Sequence, residues 1–337
     1  MTTMELIEKL CNADGISGRE EKVREELISY LGDCCEYRTD ARGNLICHKQ
    51  GKKPGNKKVM LTARMDEAGF MITGIREDGL LSFANVGDLD NRAVLGKAVR
   101  IDGKTIGVIG TKPIPPQTKE EQDKPVSFDQ LYIDIGASSK PSAESAVSLG
   151  AQVTFVGEGV AAFGNGYLTG KAMETRSVCA MLAEILKEEW DYDIDVVFNA
   201  SSQAMTSAAA NAAFALKPDI ALILGAAPAD DGRGGNRTCC LGKGAAISLH
   251  DQMTYYDADL YNLCAAAAKE EKILLQQPER STVKNESRSV QLSCAGVRVL
   301  SVSVPCRYPN TVSAMICQQD LTETKHLLRA FLKKVQG

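Results

Sequence analysis

The chain has 337 residues, of which 44% are hydrophobic and 24% are charged, and its formal net charge is −4. This length predicts two domains or one large α/β unit. The negative charge, with lysine and arginine scattered along the chain, argues against nucleic acid or an anionic membrane as a partner. No apolar stretch reaches the length of a membrane span, and residues 1–10 lack the apolar core of a signal peptide. We therefore expect a cytoplasmic protein.

Cysteine and histidine usage bears on metal binding. The chain has eleven cysteines, but Cys34-Cys35 and Cys239-Cys240 are adjacent pairs and no Cys-x-x-Cys motif occurs. We interpret the cysteines as small buried hydrophobic residues in a reducing compartment. The three histidines are expected to be ordinary surface or core residues and not metal ligands. They are His48, His250 and His326.

The first 69 residues predict helices followed by strands. A capping box at Ser17–Glu20 precedes apolar residues at helical spacing, of which Val23 and Leu27 are examples. Turn residues at Asp40–Asn44 lead into a short strand. The apolar run Val59–Ala63 is typical of a strand that is buried on both faces.

Residues 70–167 have a different character, because short strands alternate with glycine-rich turns. We expect them to form an inserted β domain, within an α/β domain made of residues 1–69 and 168–337. Lys112–Gln130 is rich in proline and charge and predicts a mobile loop. The predicted strands are Phe70–Ile75, Leu80–Asn85, Ala98–Ile101, Thr105–Gly110, Leu131–Ile135 and Val153–Val156.

Helices and strands alternate again after residue 168. This alternation predicts a mainly parallel sheet with helices on both faces. The predicted helices are Arg176–Trp190, Ala204–Leu216, Ala258–Glu271 and Leu321–Val335. The predicted strands are Val196–Asn199, Ile220–Leu224, Ile273–Gln276 and Val297–Val304.

Several motifs resemble those of the glutamyl-aminopeptidase and tetrahedral-aminopeptidase family of di-zinc peptidases, also known as endoglucanase M-like proteins or peptidase family forty-two. The resemblance runs from Leu6 to the last helix. It implies a zinc-peptidase fold with a mixed, mainly parallel sheet, interrupted by a β-barrel-like domain that assembles dimers into tetrahedral shells. The motifs are Asp14–Gly18, Gly43–Leu45, Met65–Phe70, Leu131–Ser139, Lys217–Ala221 and Arg307-Tyr308.

In that family two zinc or cobalt ions share a bridging water, and a glutamate takes its proton as the water attacks the peptide carbonyl. Zinc takes imidazole and carboxylate ligands. Within Ala63–Glu67, the resemblance places Arg64 where the family has its first histidine ligand. Asp66 corresponds to the residue that supports this histidine. Glu174 stands where an aspartate bridges the two metals.

The other ligand positions have also changed. Ser201, Ser202 and Gln203 align with the family's Gln-Glu-Glu, which holds the general base and a ligand. Gly225 replaces an aspartate and Asn310 replaces the last histidine. We therefore expect no bound metal and no catalytic residue.

The resemblance also predicts the charges of the altered site. One carboxylate, Glu174, should meet one guanidinium, Arg64, in a nearly neutral pocket, and the two should form a bidentate ion pair. The segment Asn285–Arg288 stands where the family has a glycine-rich Thr-Asp-Ala segment.

The leading hypothesis is a non-catalytic family member that acts in assembly with, or regulation of, a partner such as an active paralogue. One alternative is an active aminopeptidase or another hydrolase with an unrecognised site. Another is a peptide-binding or small-molecule-binding protein that uses the old substrate cleft. We also expect a dimer at least, through residues 70–167, because a small β module leaves apolar surface and strand edges that a neighbour covers.

Overall fold

The structure is a computed structural model that describes residues 1–53, 55–112, 126–157, 159–202, 208–232, 234–278 and 285–336. Most of the predicted loop Lys112–Gln130, and Gln203, lie outside the described residues. The described helices are α1 Thr3–Asn12, α2 Glu21–Leu31, α3 Asn91–Val94, α4 Lys140–Glu144, α5 Met173–Lys187, α6 Ala209–Leu216, α7 Ala258–Glu270, α8 Ser287–Gln291 and α9 Gln318–Gln336.

The described strands fall into one large sheet and one barrel. The strands of the large sheet are β1 Glu36–Thr39, β2 Leu45–Lys49, β3 Val59–Arg64, β10 Ala161–Phe163, β11 Tyr167–Gly170, β12 Ile194–Asn199, β13 Ile220–Pro228, β14 Ala245–Ile247, β15 Leu275–Gln276, β16 Arg298–Arg307 and β17 Ala314–Cys317. Those of the barrel are β4 Gly69–Ile75, β5 Leu81–Val86, β6 Ala98–Ile101, β7 Thr105–Thr111, β8 Leu131–Asp134 and β9 Gln152–Phe155.

The large sheet has the order β1-β2-β12-β3-β13-β16-β17-β11-β10, with β14 and β15 attached beside β16. Its centre is parallel, from β12 through β3 and β13 to β16, and both flanks are antiparallel. Every residue of β12 and residues 59–63 of β3 are buried. Successive side chains of a strand point to opposite faces, so both faces of the sheet are covered. The predicted mixed α/β fold is confirmed, with parallel pairing at the centre and between β14 and β15.

The six barrel strands close in the order β4-β5-β8-β7-β6-β9. Phe70 lies at the centre of the barrel core, fully buried, with the rings of Phe83 and Phe155 4.7 Å and 5.5 Å from its own, centre to centre. Closure pairs both edges of each strand. The β-barrel-like domain that the resemblance implied is confirmed, and the separate expectation of open strand edges in this region was wrong.

The strand pairing also bears on where the inserted region ends. The barrel ends with β9, and the next two strands, β10 and β11, pair with each other and with β17 in the large sheet. The division of the chain into domains at residues 70 and 167 stays a prediction. Among the described residues, none of the helices combines the length and the apolar character needed to cross a bilayer.

Candidate functional site

The candidate site lies where the central parallel strands end. Asn199, the last residue of β12, pairs in register with Arg64, the last residue of β3. On the other side Ala63 pairs with Leu224, so Gly225 stands level with Arg64. Residues at the same register position project to the same face of a sheet. The side chains of Asn199 and Arg64, and any side chain placed at Gly225, therefore share one face.

Arg64 pairs with Glu286, at the start of α8. The Arg64 Nε atom lies 3.6 Å from Glu286 Oε1, and the two side chains are 15% and 4% exposed. Burial raises the pKa of the Glu286 carboxyl, and the nearby guanidinium offsets part of that rise. A buried arginine requires a carboxylate, and here the partner comes from a segment far along the chain.

Glu174 does not form the predicted ion pair with Arg64, since the two charged groups are more than 4.0 Å apart. It sits in the first turn of α5, after Ala172, whose φ of 53° is left-handed. The backbone of Asn310 acts on its carboxylate and lowers its pKa in part. Its Oε2 atom is buried without a hydrogen-bond partner. Burial raises the pKa of Glu174, and the more distant Arg64 charge lowers it only in part.

Asp66 supplies a third carboxylate. It is fully buried, accepts a hydrogen bond from Ser17 Oγ, and is close enough to act on the charge of Arg64. The charges of three carboxylates, those of Glu286, Asp66 and Glu174, therefore act on the Arg64 guanidinium and raise its pKa. The expected balance of one carboxylate against one guanidinium was wrong, because the fold brings Glu286 to the site.

The remaining predicted positions line the same region. The Ser202 hydroxyl donates to Asn199 Oδ1 and lies within hydrogen-bonding range of Glu286. Asn310 has a left-handed φ of 58° and contributes its backbone to the site. A Cβ atom added at Gly225 would meet no atom within 4 Å, so the position faces open space. Gln203 lies outside the described residues.

A second charged cluster borders the site, where the barrel meets the large sheet. Lys171, only 3% exposed, contacts Asp14 Oδ1 at 3.2 Å and Glu67 Oε1 at 3.0 Å. Thr154 of β9 donates to Asp14 at 2.7 Å, and Arg176 lies 3.7 Å from Glu67. These contacts join the loop after α1, the end of β3 and the barrel. We call these five residues the junction cluster.

Comparison with known proteins identifies the family. The model described as M42 glutamyl aminopeptidase matches residues 43–327. The chain belongs to this M42 family. The putative aminopeptidase FrvX of Escherichia coli K12 is 31% identical over 340 residues, covering 98% of this chain and 94% of the relative.

Two solved structures of aminopeptidases share the fold. Aminopeptidase APDkam598 of Desulfurococcus kamchatkensis superposes with a TM-score of 0.92 at 27% identity, covering 98% of this chain and 94% of that one. The TET1 peptidase of Pyrococcus horikoshii, which assembles into a tetrahedron or a large octahedral shell, superposes with a TM-score of 0.85 at 28% identity. Coverage is 98% of both chains.

The donors at this M42 site do not fit the metal pair that the resemblance implies. Among the residues that the structure describes, no group of three or more histidine, cysteine, aspartate or glutamate side chains could hold a metal ion. None of the three histidines supplies a ligand there: His48 contacts Asp195, His250 contacts the carbonyl of Asp251, and His326 lies on α9. The Arg64 guanidinium instead lies beside Glu286, where it repels a divalent cation.

Reasoning from the sequence missed two features of this region. It gave no role to Glu286, although a buried arginine without a metal needs an anionic partner. It also missed the junction cluster, because Asp14 and Lys171 are far apart in the chain. The only available signal was the position of Asp14, Glu67 and Arg176 inside family-like motifs, and that signal did not reveal their contacts.

Proposed function

We propose that this chain is a non-catalytic member of the M42 family, acting in assembly with, or regulation of, a partner in the cytoplasm. The observation that supports this proposal is the Arg64–Glu286 ion pair at the end of β3. In a working di-metal site the same position carries a metal ligand. Here it carries a permanent cation, because an arginine side chain stays protonated at any physiological pH.

The side chain at the position of the general base supports the same proposal. The family mechanism needs a metal-bound water and a carboxylate that accepts its proton. Ser202 stands at the position of that carboxylate, and its hydroxyl donates to Asn199 Oδ1. No histidine of the described chain contacts this serine to activate it as a nucleophile.

Metal analysis and an activity assay test the proposal together. The purified protein is expected to carry less than about 0.1 zinc or cobalt per chain and to leave aminoacyl chromogenic substrates intact when either metal is added. An M42 relative with histidine at the position of Arg64 serves as the positive control. One tightly bound metal per chain with turnover that a chelator abolishes would contradict the proposal and favour an active aminopeptidase.

A gain-of-function variant sharpens this test. Arg64→His, Gly225→Asp and Asn310→His together return three ligands, two imidazoles and one carboxylate, and the open space at Gly225 accommodates the aspartate. The triple variant should bind zinc more tightly than the original chain, as measured by calorimetry. Arg42→His, Gly232→Asp and Asn236→His, all outside the site, form the matched control and should bind no more than the original chain.

Self-association is part of the proposal. The outward-facing side chains of Ile106 and Val108 on β7 are 52% and 47% exposed, so the barrel presents apolar surface. The TET1 peptidase, which has this fold, forms large shells. We expect light scattering at micromolar concentration to give the mass of two or more chains. Ile106→Lys should weaken this association, and Phe214→Lys, at an exposed position of α6, should not. A protein that stays monomeric on concentration contradicts this part.

A second candidate is a binding protein that uses the cleft, and one observation favours it. Glu174 Oε2 is buried without a hydrogen-bond partner, and such an atom can accept a hydrogen bond from a ligand. A ligand that binds only the folded state raises its thermal stability. A thermal-shift screen of amino acids and short peptides, repeated on Glu174→Gln, tests this candidate. A stabilising ligand whose effect is lost in Glu174→Gln supports it.

A further inference from the structure

A buried carboxylate, that of Asp251, lies in the turn between β14 and α7 and is only 6% exposed. Its Oδ1 atom accepts the backbone N–H groups of Met253 and Thr254 at 2.6 Å and 2.7 Å. Its Oδ2 atom accepts the hydroxyl groups of Tyr256 at 2.8 Å and Ser287 at 2.9 Å. Both oxygens of this carboxylate are therefore occupied by hydrogen-bond donors.

These donors compensate the burial of Asp251 without a cation. In the described part of the chain, no lysine or arginine lies within 4.0 Å of its carboxylate oxygens to form an ion pair. A buried carboxylate without a cation costs stability unless hydrogen bonds replace those that it made to water. Asp251 therefore ties together the chain segments from which its donors come.

The donors come from two segments that are distant in the sequence. Tyr256 belongs to the turn of residues 249–256, which backbone hydrogen bonds close from Asp251 to Thr254 at 2.9 Å and from Tyr256 to Leu249 at 3.0 Å. Ser287 is the first residue of α8 and follows Asp251 by 36 residues. The hydrogen bond between Asp251 and Ser287 therefore attaches the start of α8 to this turn.

The residue before Glu286 is attached to the same turn. Asn285 Nδ2 donates to the Tyr256 hydroxyl oxygen at 3.0 Å, and that hydroxyl donates in turn to Asp251. Asn285 Oδ1 accepts the backbone N–H of Ser287 at 2.8 Å. Glu286 therefore stands between two residues that are both connected to Asp251, one directly and one through a tyrosine.

This attachment matters because Glu286 has to reach Arg64 from outside the large sheet. Arg64 is the last residue of the central strand β3, and its Nε atom lies 3.6 Å from Glu286 Oε1. Helix α8, which follows Glu286, has only five residues. A helix this short is not stable by itself, so its position depends on tertiary contacts. The contacts with Asp251 are at the end of α8 that is nearest to Glu286.

We propose that Asp251 is the positioning residue of the Arg64–Glu286 ion pair. Through Ser287 on one side and Asn285 on the other, it fixes the backbone that carries Glu286. The Glu286 carboxylate is thereby kept beside the guanidinium. This inference rests on the proposed function, in which the ion pair occupies the place of a metal ligand. It adds that a carboxylate on another segment maintains the pair.

Chemical labelling of Arg64 tests this role. Phenylglyoxal modifies arginine side chains, and Arg64 should react slowly because it is 15% exposed and paired with Glu286. Asp251→Asn replaces one carboxylate oxygen with an amide group that cannot accept a hydroxyl hydrogen bond. It should raise the rate at Arg64 at least about five-fold, because labelling follows the population in which the pair is open. Peptide mass spectrometry of the full chain measures this rate relative to Arg329, which pairs with Glu188.

A matched control separates positioning from a general loss of stability. Asp320 is also a buried aspartate, and it accepts the backbone N–H groups of Gly242 and Gly244 at 2.7 Å each. Asp320→Asn therefore removes a similar acceptor at a place that makes no hydrogen bond to residues 285–287 in the described structure. It should leave the rate at Arg64 unchanged. An equal rise in this variant would show a general effect and overturn the proposal.

Two further variants complete the labelling experiment. Glu286→Gln should raise the rate at Arg64, because it removes the charge that Asp251 positions. Ser287→Ala removes a single hydroxyl and should also raise the rate, which keeps the test decisive if Asp251→Asn does not fold. An unchanged rate in Ser287→Ala or in Glu286→Gln overturns the proposal. Metal content and turnover are measured separately, so this inference can fail while the proposed function stands.

A double-mutant cycle gives a second measure, which a general loss of stability does not change. Arg64→Met and Glu286→Gln are combined in the original chain and again in Ser287→Ala, and urea denaturation gives the coupling free energy in each. Independent losses of stability cancel from such a cycle. The coupling between Arg64 and Glu286 should fall to less than about half in Ser287→Ala. An undiminished coupling would show that Ser287, and with it Asp251, does not position the ion pair.

Discussion

The junction cluster and the cleft are buried to a similar degree but treat their carboxylates in opposite ways. Asp14 is 3% exposed and Glu174 is 5% exposed. Burial by itself raises the pKa of Asp14, but the Thr154 hydrogen bond and the Lys171 charge outweigh it, and the pKa is lowered. At Glu174 burial prevails and the pKa is raised. The junction stabilises its charge, and the cleft does not.

This difference separates structural charges from charges without a structural role. At the junction, Lys171 contacts two carboxylates that belong to different parts of the chain, so the cluster connects the barrel to the large sheet. In the cleft, one oxygen of Glu174 lacks a partner. A buried charge without full compensation costs stability. The predictions below test whether the two regions differ in this way.

The largest effect is expected at the junction. Lys171→Met leaves Asp14 and Glu67 buried without their shared cation and should lower the free energy of unfolding by about 3–5 kcal/mol. Lys22→Met is the matched control, because Lys22 also contacts Asp14, at 3.4 Å, but is 53% exposed. Its cost should be no more than about 1 kcal/mol. Urea denaturation measures both free energies of unfolding. Equal losses would show that the buried contacts of Lys171 stabilise the protein no more than the exposed contact of Lys22.

In the cleft, the partner of Arg64 can be identified by double-mutant cycles. Arg64→Met combined with Glu286→Gln should show a coupling free energy of about 1–3 kcal/mol, because the two charges lie 3.6 Å apart. The cycle of Arg64→Met with Glu174→Gln should give a smaller coupling. Denaturation of the single and double variants supplies both values. A larger coupling to Glu174 would restore the pairing that was expected from the sequence.

The smallest expected effects are changes in stability with pH, which should run in opposite directions for substitutions at Glu174 and at Asp14. The pKa of Glu174 is raised in the folded protein. Ionised Glu174 therefore lowers the free energy of unfolding. This loss is absent below the pKa of the unfolded state and complete above the pKa of the folded state. Glu174→Gln should therefore raise the free energy of unfolding by about 1 kcal/mol at pH 7 and by little at pH 4. The pKa of Asp14 is lowered, so its contribution is present at pH 7 and is lost as the pH falls through the folded value. Asp14→Asn should be destabilising at pH 7, with a difference that narrows in acid. If Glu174→Gln and Asp14→Asn changed the free energy of unfolding in the same direction across this pH range, the proposed difference between the cleft and the junction would be contradicted.

Much of the local structure was predictable from the sequence. The apolar run at residues 59–63 became β3, and the predicted helix at residues 258–271 is α7, Ala258–Glu270. Helix α5 begins at Met173, three residues before the predicted start, because the left-handed Ala172 precedes it. The strand positions of the inserted region were predicted from the sequence, and the family resemblance implied the β-barrel-like domain that they form. Closure depends on the pairing of β4 with β9, which are distant in the chain.

The sequence by itself determined the family and the types of side chain that line the cleft, because motifs and residue identities are local properties. Only the tertiary structure decided that Arg64 pairs with Glu286 and that Lys171 joins Asp14 to Glu67. Each of these contacts depends on strand register and loop position across the chain. The charge of a buried group depends on its neighbours in space, and its pKa therefore follows from the fold and not from the local sequence.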